Sequence, residues 1–186
     1  MKLYLYKIIF ILVFIPNCLY QAQSKPNIGE PTLIPCSSYI QDDSIDRFIG
    51  TWEGNNNGKT LKLILKKEKI RDPNTGICYD LIFGFHKLIE NGVETENSVQ
   101  FDNTNYLNGK STILGTTNTN NNSHLHLSVT HLSKNKNINI IISYIDSEHL
   151  KIDASKNFEG IKVNEPGKPP YDYSIAIPSD FTLTKQ

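Results

Sequence analysis

The chain has 186 residues, with 19 basic and 19 acidic side chains, 38% hydrophobic residues and a mean hydropathy of −0.36. Balanced charge excludes the strongly basic footprint of a nucleic-acid-binding protein. The length allows one domain with a core of its own.

The N-terminus reads as an export signal. Lys2 and Lys7 precede the apolar run "IIFILVFI", residues 8–15, which Pro16 and Asn17 break. That run is far shorter than the roughly 20 apolar residues a membrane-spanning helix needs, so a signal peptide over residues 1–23 is expected. Two processing routes compete. A signal peptidase cuts after Ala22 or Gln23, or the lipoprotein signal ends before Cys18 and that cysteine is lipid-modified. The corresponding locations are the periplasm, an outer-membrane anchor, or secretion, and the only membrane contact is the lipid. On either route Cys18 is lost or acylated, which leaves Cys36 and Cys78 as an even pair. In an oxidising compartment they are disulfide candidates, and two buried free thiols are the alternative.

Residues 24–45 form a linker and N-terminal segment. "SKPNIGEPTLIPC" is proline-rich and aperiodic, and "SSYIQDDSIDRFIG" predicts one short helix with Ser37, Ser38 or Asp42 as N-cap. A β-domain over residues 46–186 follows. "TLKLILKKE" alternates Leu61, Leu63 and Leu65 with Lys62, Ile64 and Lys66. "YDLIFGFHKL" puts Tyr79, Leu81, Phe83 and Phe85 on one face, and Asp80, Ile82, Gly84 and His86 on the other. "SHLHLSVTHL" alternates leucine and valine with His124, His126 and Ser128. Each reads as a half-buried antiparallel strand. "NINIIISY" predicts a strand buried on both faces, and "HLKIDA" and "SIAIPSDFTLT" are shorter candidates. "NNNG", "DPNTG", "ENG" and "LNG" carry turn chemistry, while "TTNTNNNS" and "NEPGKPPYD" read as loops. About eight or nine short strands without a long amphipathic helix predict an all-β fold. A sandwich is the alternative to a single antiparallel barrel, and closure favours the barrel because it removes sheet edges.

Chemistry-bearing patterns are sparse. His124 and His126 share one face of a strand and would need a third metal ligand, with His86, His131 or an acid as sources. Solvated surface histidines are the plainer reading. No nucleophile elbow, phosphate loop or zinc-protease motif occurs, so neither an enzyme nor a cofactor is expected. The aromatics Trp52, Tyr79, Phe83, Phe85 and Phe101 either line a ligand cavity or fill a core.

Two resemblances follow from these residues. "FIGTW" ahead of a strand resembles the opening motif of lipocalins, members of the calycin group. The resemblance implies a tryptophan packed at the barrel base against an arginine from a late strand. Here the only arginines are Arg47 and Arg71, both early. Over nearly the whole chain, "DRFIGTWEGNNNGKTLKLILKK", "CYDLIFGFHKLIENGVE" and "IPSDFTLTKQ" are similar to a family of small exported bacterial proteins of unknown function. Its members often carry a lipoprotein cysteine, which implies Cys18 as the anchor. The expectation is therefore a monomeric, non-catalytic, lipocalin-like barrel that binds a small apolar ligand or an envelope protein. A filled structural or interaction domain is the alternative, and a metal-assisted enzyme comes third.

Overall fold

The structure is a computed structural model that describes residues 35–118, 121–158, 160, 166, 167 and 169–186. The expected signal peptide over residues 1–23, the lipidation site Cys18 and the linker up to residue 34 lie outside the described residues. In chain order the strands are β1 (Tyr39–Ile40), β2 (Gly50–Asn56), β3 (Lys59–Arg71), β4 (Cys78–Glu90) and β5 (Val93–Asn97), then β6 (Ile113–Asn118), β7 (Asn121–His131), β8 (Lys136–Tyr144), β9 (His149–Asn157) and β10 (Phe181–Lys185).

Eight of them close on themselves. Each of β2, β3, β4, β6, β7, β8, β9 and β10 pairs antiparallel with the next, and β10 returns to β2. This is an up-and-down barrel, in which closure leaves no long edge exposed. β5 extends β4 beyond its contact with β6, and β1 lies parallel to the start of β4. Two of the turns were legible as Asn-Gly. Asn57–Gly58 and Asn91–Gly92 have positive φ at both residues, as a two-residue hairpin turn requires.

Alternation explains what fills the barrel. Leu61, Leu63 and Leu65 of β3, Leu125, Leu127 and Val129 of β7, and Ile138, Ile140 and Ile142 of β8 are buried in one core cluster. On β8 the intervening Asn137 and Asn139 are exposed, so that strand is not buried on both faces as its isoleucines suggested. β4 differs from its neighbours because it is buried on both sides. Ile82 and Leu88 belong to the core cluster, and by period-two parity Gly84 and His86 face inward with them. Leu81, Phe83 and Phe85 point the other way and are buried outside the barrel.

Two segments depart from the expected pattern. Residues of "TTNTNNNS" belong to β6 and β7, whose ladder extends to Asn118↔Asn121. Main-chain pairing needs no apolar side chains, which is why a polar run continues a hairpin. "SIAIPSDFTLT" is a strand only from Phe181. Residues 174–178 instead cross one end of the barrel, where Pro178 has no N–H to give a ladder.

The opposite end is closed by a 3-10 helix, Asp43–Phe48. Asp42 caps it by accepting from Ser44 N–H at 3.0 Å, and Ile45 and Phe48 are buried against the core. Lys67 of β3 holds this segment from below. Its Nζ is 2.9 Å from Asp46 and 3.1 Å from the buried carboxylate of Asp80, and it donates to Asp42 O at 3.0 Å. The bond to Asp46 pushes the Lys67 ammonium above the usual lysine range, against its partial desolvation. Burial alone would raise Asp80. Donation from Asp42 N–H, the Tyr39 hydroxyl and Lys67 outweighs it and holds the carboxyl below the usual range. Cys36 and Cys78 are joined in a disulfide with Cα atoms 5.5 Å apart, which anchors residues 35–49 covalently. A loop of this length is worth roughly 4 kcal/mol on the chain-entropy account.

Tight curvature demands glycine at inward positions. A Cβ on Gly84 would lie 2.2 Å from Ile64 O, and one on Gly115 would lie 2.5 Å from Leu127 Cδ2. Gly84→Ala therefore forces the β3–β4 ladder apart and is expected to cost about 3 kcal/mol. Gly109→Ala, whose Cβ meets nothing within 4 Å at a φ of +63°, is expected to lose only about 1 kcal/mol. Urea midpoints followed by Trp52 fluorescence separate the two; equal midpoints would contradict this account of β4.

Candidate functional site

The base of the barrel answers the question raised by the lone tryptophan. Trp52, on β2, is fully buried in the core cluster, and its Nε1–H donates to Phe48 O at 2.9 Å. Opposite it in the β10 register stands Lys185, whose Nζ is 5.2 Å from the ring centroid. The late arginine implied by the lipocalin resemblance is absent, and a lysine of the last strand supplies the cation instead. Such a contact is worth about 1 kcal/mol.

The other aromatics lie elsewhere. Phe83 and Phe85 pack edge-on with ring centroids 6.1 Å apart, on the outer face of β4. Tyr106, from the excursion between β5 and β6, covers Phe83 at 6.1 Å, and the Lys66 ammonium lies 5.7 Å from the same ring. Tyr79 is half-buried on the same outer face. Phe101 is partly buried at the end of the 3-10 turn Val99–Phe101, with Lys110 Nζ 5.6 Å from its ring. Of the five, only Trp52 belongs to the core cluster inside the barrel. The sequence put Phe83 and Phe85 on one face but held no sign that β4 carries two buried faces.

His124 and His126 lie on the outer side of β7, alternating with the inward Leu125 and Leu127. His126 is exposed and His124 Nδ1 meets Ser123 Oγ at 2.9 Å. His86 and His131, the other histidines considered as ligands, are fully buried. Among the described residues, no group of three or more His, Cys, Asp or Glu side chains is arranged to hold a metal ion.

The chemically dense place is the opposite end of the barrel, which we call the mouth. Glu96 of β5 pairs with Leu88 and shares its inward face, 2% exposed. An ionised carboxylate there must be fully hydrogen-bonded. Four donors meet it: His86 Nε2 at 2.8 Å, His131 Nδ1 at 2.5 Å, Leu132 N–H at 2.9 Å and Ser133 Oγ at 2.7 Å. Burial alone would raise the Glu96 pKa; the bonds from His86 and Ser133 and the electrostatic attraction of the neighbouring His131 and His86 rings outweigh it and bring it down to about 2. His131 Nε2 accepts from Ala176 N–H at 2.9 Å, so its ring proton sits on Nδ1, facing Glu96. Burial, first, and then Lys136 and His86 hold His131 below the usual histidine range, against the pull of Glu96.

His86 continues the network inward. Its Nδ1 is 2.8 Å from Thr112 Oγ1, which is 2.7 Å from Ser98 Oγ. Ser98 Oγ also accepts from His86 N–H at 2.8 Å. Thr112, His86 and Glu96 thus have the connectivity of a hydroxyl, imidazole and carboxylate relay. All three are buried, and neither outer cleft reaches them. One cleft, about 450 Å³, is lined by Glu53, Lys62, Lys87 and Gln100; the other, about 390 Å³, by Leu114, His126, Ile141 and Lys156. The network bridges β4, β5 and the end of β7. Sequence reasoning missed Glu96, Ser98 and Thr112. For His131 a signal existed, since it continues the inward series Leu125, Leu127, Val129.

Glu96 ties acid stability to this network. Its folded pKa lies below the unfolded value, so its contribution is full above about pH 4.5 and is lost as pH falls through about 2. That shift corresponds to roughly 3 kcal/mol. His131 Nδ1–H is bonded to Glu96 Oε1 and Leu132 N–H to Oε2, so Glu96→Gln leaves one of these donors facing an NH2 group. It is expected to cost about 3 kcal/mol or more at pH 7 and to flatten the stability profile between pH 4.5 and 2. Urea titrations across that range check both, and an unchanged acid limb would contradict the assignment.

Comparison with known proteins adds a family to this geometry. No curated protein and no solved structure matches the chain. The family model that matches spans residues 1–186, so the chain belongs to DUF6705, a family of unknown function.

Proposed function

We propose that this protein is an exported, non-catalytic β-barrel domain with a filled core, whose role is structural or a matter of surface contact with an envelope partner. The observation that carries this reading is the state of the interior. Trp52 sits in a packed core, the Asp43–Phe48 helix covers one end and Ile177 seals the other at 2% exposure. A small apolar ligand would need a concave interior of a few hundred cubic ångströms, and the interior volume here is taken by leucine and isoleucine side chains.

Export rests on the signal-like residues 1–23, with the Cys36–Cys78 disulfide as weaker support. Within that reading, Cys18 is the lipid anchor, and periplasmic or outer-membrane retention follows from it; a soluble secreted form is the alternative. The barrel is lipocalin-like in our reading, with Lys185 over Trp52 in place of arginine. The absence of catalysis is supported by the burial of Thr112, His86 and Glu96 and by the outward position of His124 and His126.

An environment-sensitive apolar dye tests the filled core. At pH 7.5 the protein is expected to leave the emission of 1-anilinonaphthalene-8-sulfonate unchanged at micromolar concentrations. Saturable binding of one dye per chain that quenches Trp52 would overturn this reading in favour of a ligand cavity.

A further inference from the structure

Residues 171–178 cross the mouth at the end of a connection that runs from β9 to β10. The strap forms no ladder. Side chains of the barrel hold its main chain instead. Lys136 Nζ donates to Asp172 O and Ser174 O, each at 2.7 Å, and Asn157 Nδ2 donates to Tyr173 O at 2.7 Å. Lys59 Nζ donates to Ala176 O at 2.7 Å, and Ser155 Oγ donates to Pro178 O at 3.2 Å. Ammonium, amide and hydroxyl groups serve as the donors in all of these bonds. One bond runs the other way, from Ala176 N–H to His131 Nε2 at 2.9 Å.

We propose that residues 171–178 are an acid-released lid over the barrel mouth and that His131 is its latch. Glu96 Oε1 holds the Nδ1–H of His131, so an added proton can go only to Nε2. Two N–H groups then face each other at the distance that an N–H···N bond had occupied. Turning the ring would break its bond to Glu96, so the strap is the part that gives way. Ala176 lifts, and Ile175 and Ile177 leave the core.

The surroundings set the direction of the response. Glu96 on β5 favours the proton; Lys136 on β8 and His86 on β4 oppose it, as does burial. Ser133 Oγ stands 3.4 Å from Nδ1. On the strap side, Lys59 is paired with Glu90 at 3.0 Å and Lys134 with Asp172 at 2.8 Å. With a folded pKa below the ordinary histidine value, the latch is intact above about pH 6.5 and fails as pH falls through the depressed value. The Glu96 carboxylate persists to about pH 2, so the network beneath the lid outlasts the latch.

Amide hydrogen exchange on the intact chain, corrected for intrinsic pH dependence, tests this. Between pH 7.5 and 4.5 the amide of Ala176, which His131 accepts, is expected to lose at least tenfold in protection, while those of β4 and β7 keep theirs. The midpoint must coincide with the titration of the His131 ring followed by NMR. His131→Gln, whose amide both accepts and donates without titrating, should abolish the acid response. Strap and barrel amides opening together, a strap midpoint away from that of His131, a strap protected throughout, or an acid response that survives in a folded His131→Gln would each overturn the proposal.

Discussion

The arrangement depends on how β4 closes the sheet. Its 13 residues pair with β3 along their whole length, but on the other edge only Ile82–Gly84 meet β6. Beyond that point β5 takes over the edge of β4, and Glu96 comes to lie on the inward face opposite Leu88. The barrel seam is therefore closed in two ways. Near its middle it is a main-chain ladder, made close by Gly84 and Gly115. Toward the mouth a buried carboxylate bridges β5 to the turn after β7 through Leu132 N–H and Ser133. The polar network at the mouth is a consequence of incomplete ladder closure, and its donors satisfy the charge that this places inside.

The two ends consequently differ in kind. At the base, Ile45 and Phe48 add apolar burial, the disulfide ties the segment covalently, and Lys67 spans Asp46 and Asp80. None of these contacts involves an imidazole. At the mouth, the strap rests on side-chain bonds to main chain, and the one imidazole among them accepts rather than donates. Local opening draws on the least stable parts of a fold, those with few apolar contacts and many solvent-edge hydrogen bonds. The strap is such a part, apart from Ile175, Ala176 and Ile177, which pack on the core.

Most of the barrel could be read from period-two alternation and Asn-Gly turns, because strands that face one core repeat the same local rule. β3, β7 and the positive-φ turns at Asn57 and Asn91 followed it. β5 did not, since "VETEN" has no apolar alternation; its place is set by the β4 hairpin and not by its own side chains. The outward burial of Phe83 and Phe85 was likewise invisible, because it depends on the chain returning after β5 to cover them. Glu96 was the hardest residue to foresee. A lone glutamate in a polar segment reads as solvated until four donors from three other segments are brought to it by closure.

Lys185 shows how a motif-level rule and its physics separate. The lipocalin resemblance asks for an arginine against the tryptophan, and a search for arginine finds none in the late strands. The base of this barrel holds a long-stemmed cation that reaches the indole face from the closing strand, and an acceptor for the indole N–H. Here Lys185 supplies the first and Phe48 O the second. Lysine lacks the planar fork with which arginine bonds two carbonyls at once, so it contributes a point charge and a methylene stem alone. Its Cε lies 3.1 Å from where a Cβ on Gly50 would stand, and Gly50 has a φ of +142°. The glycine of the Gly-x-Trp motif thus makes room for the lysine stem, which joins the first barrel strand to the last.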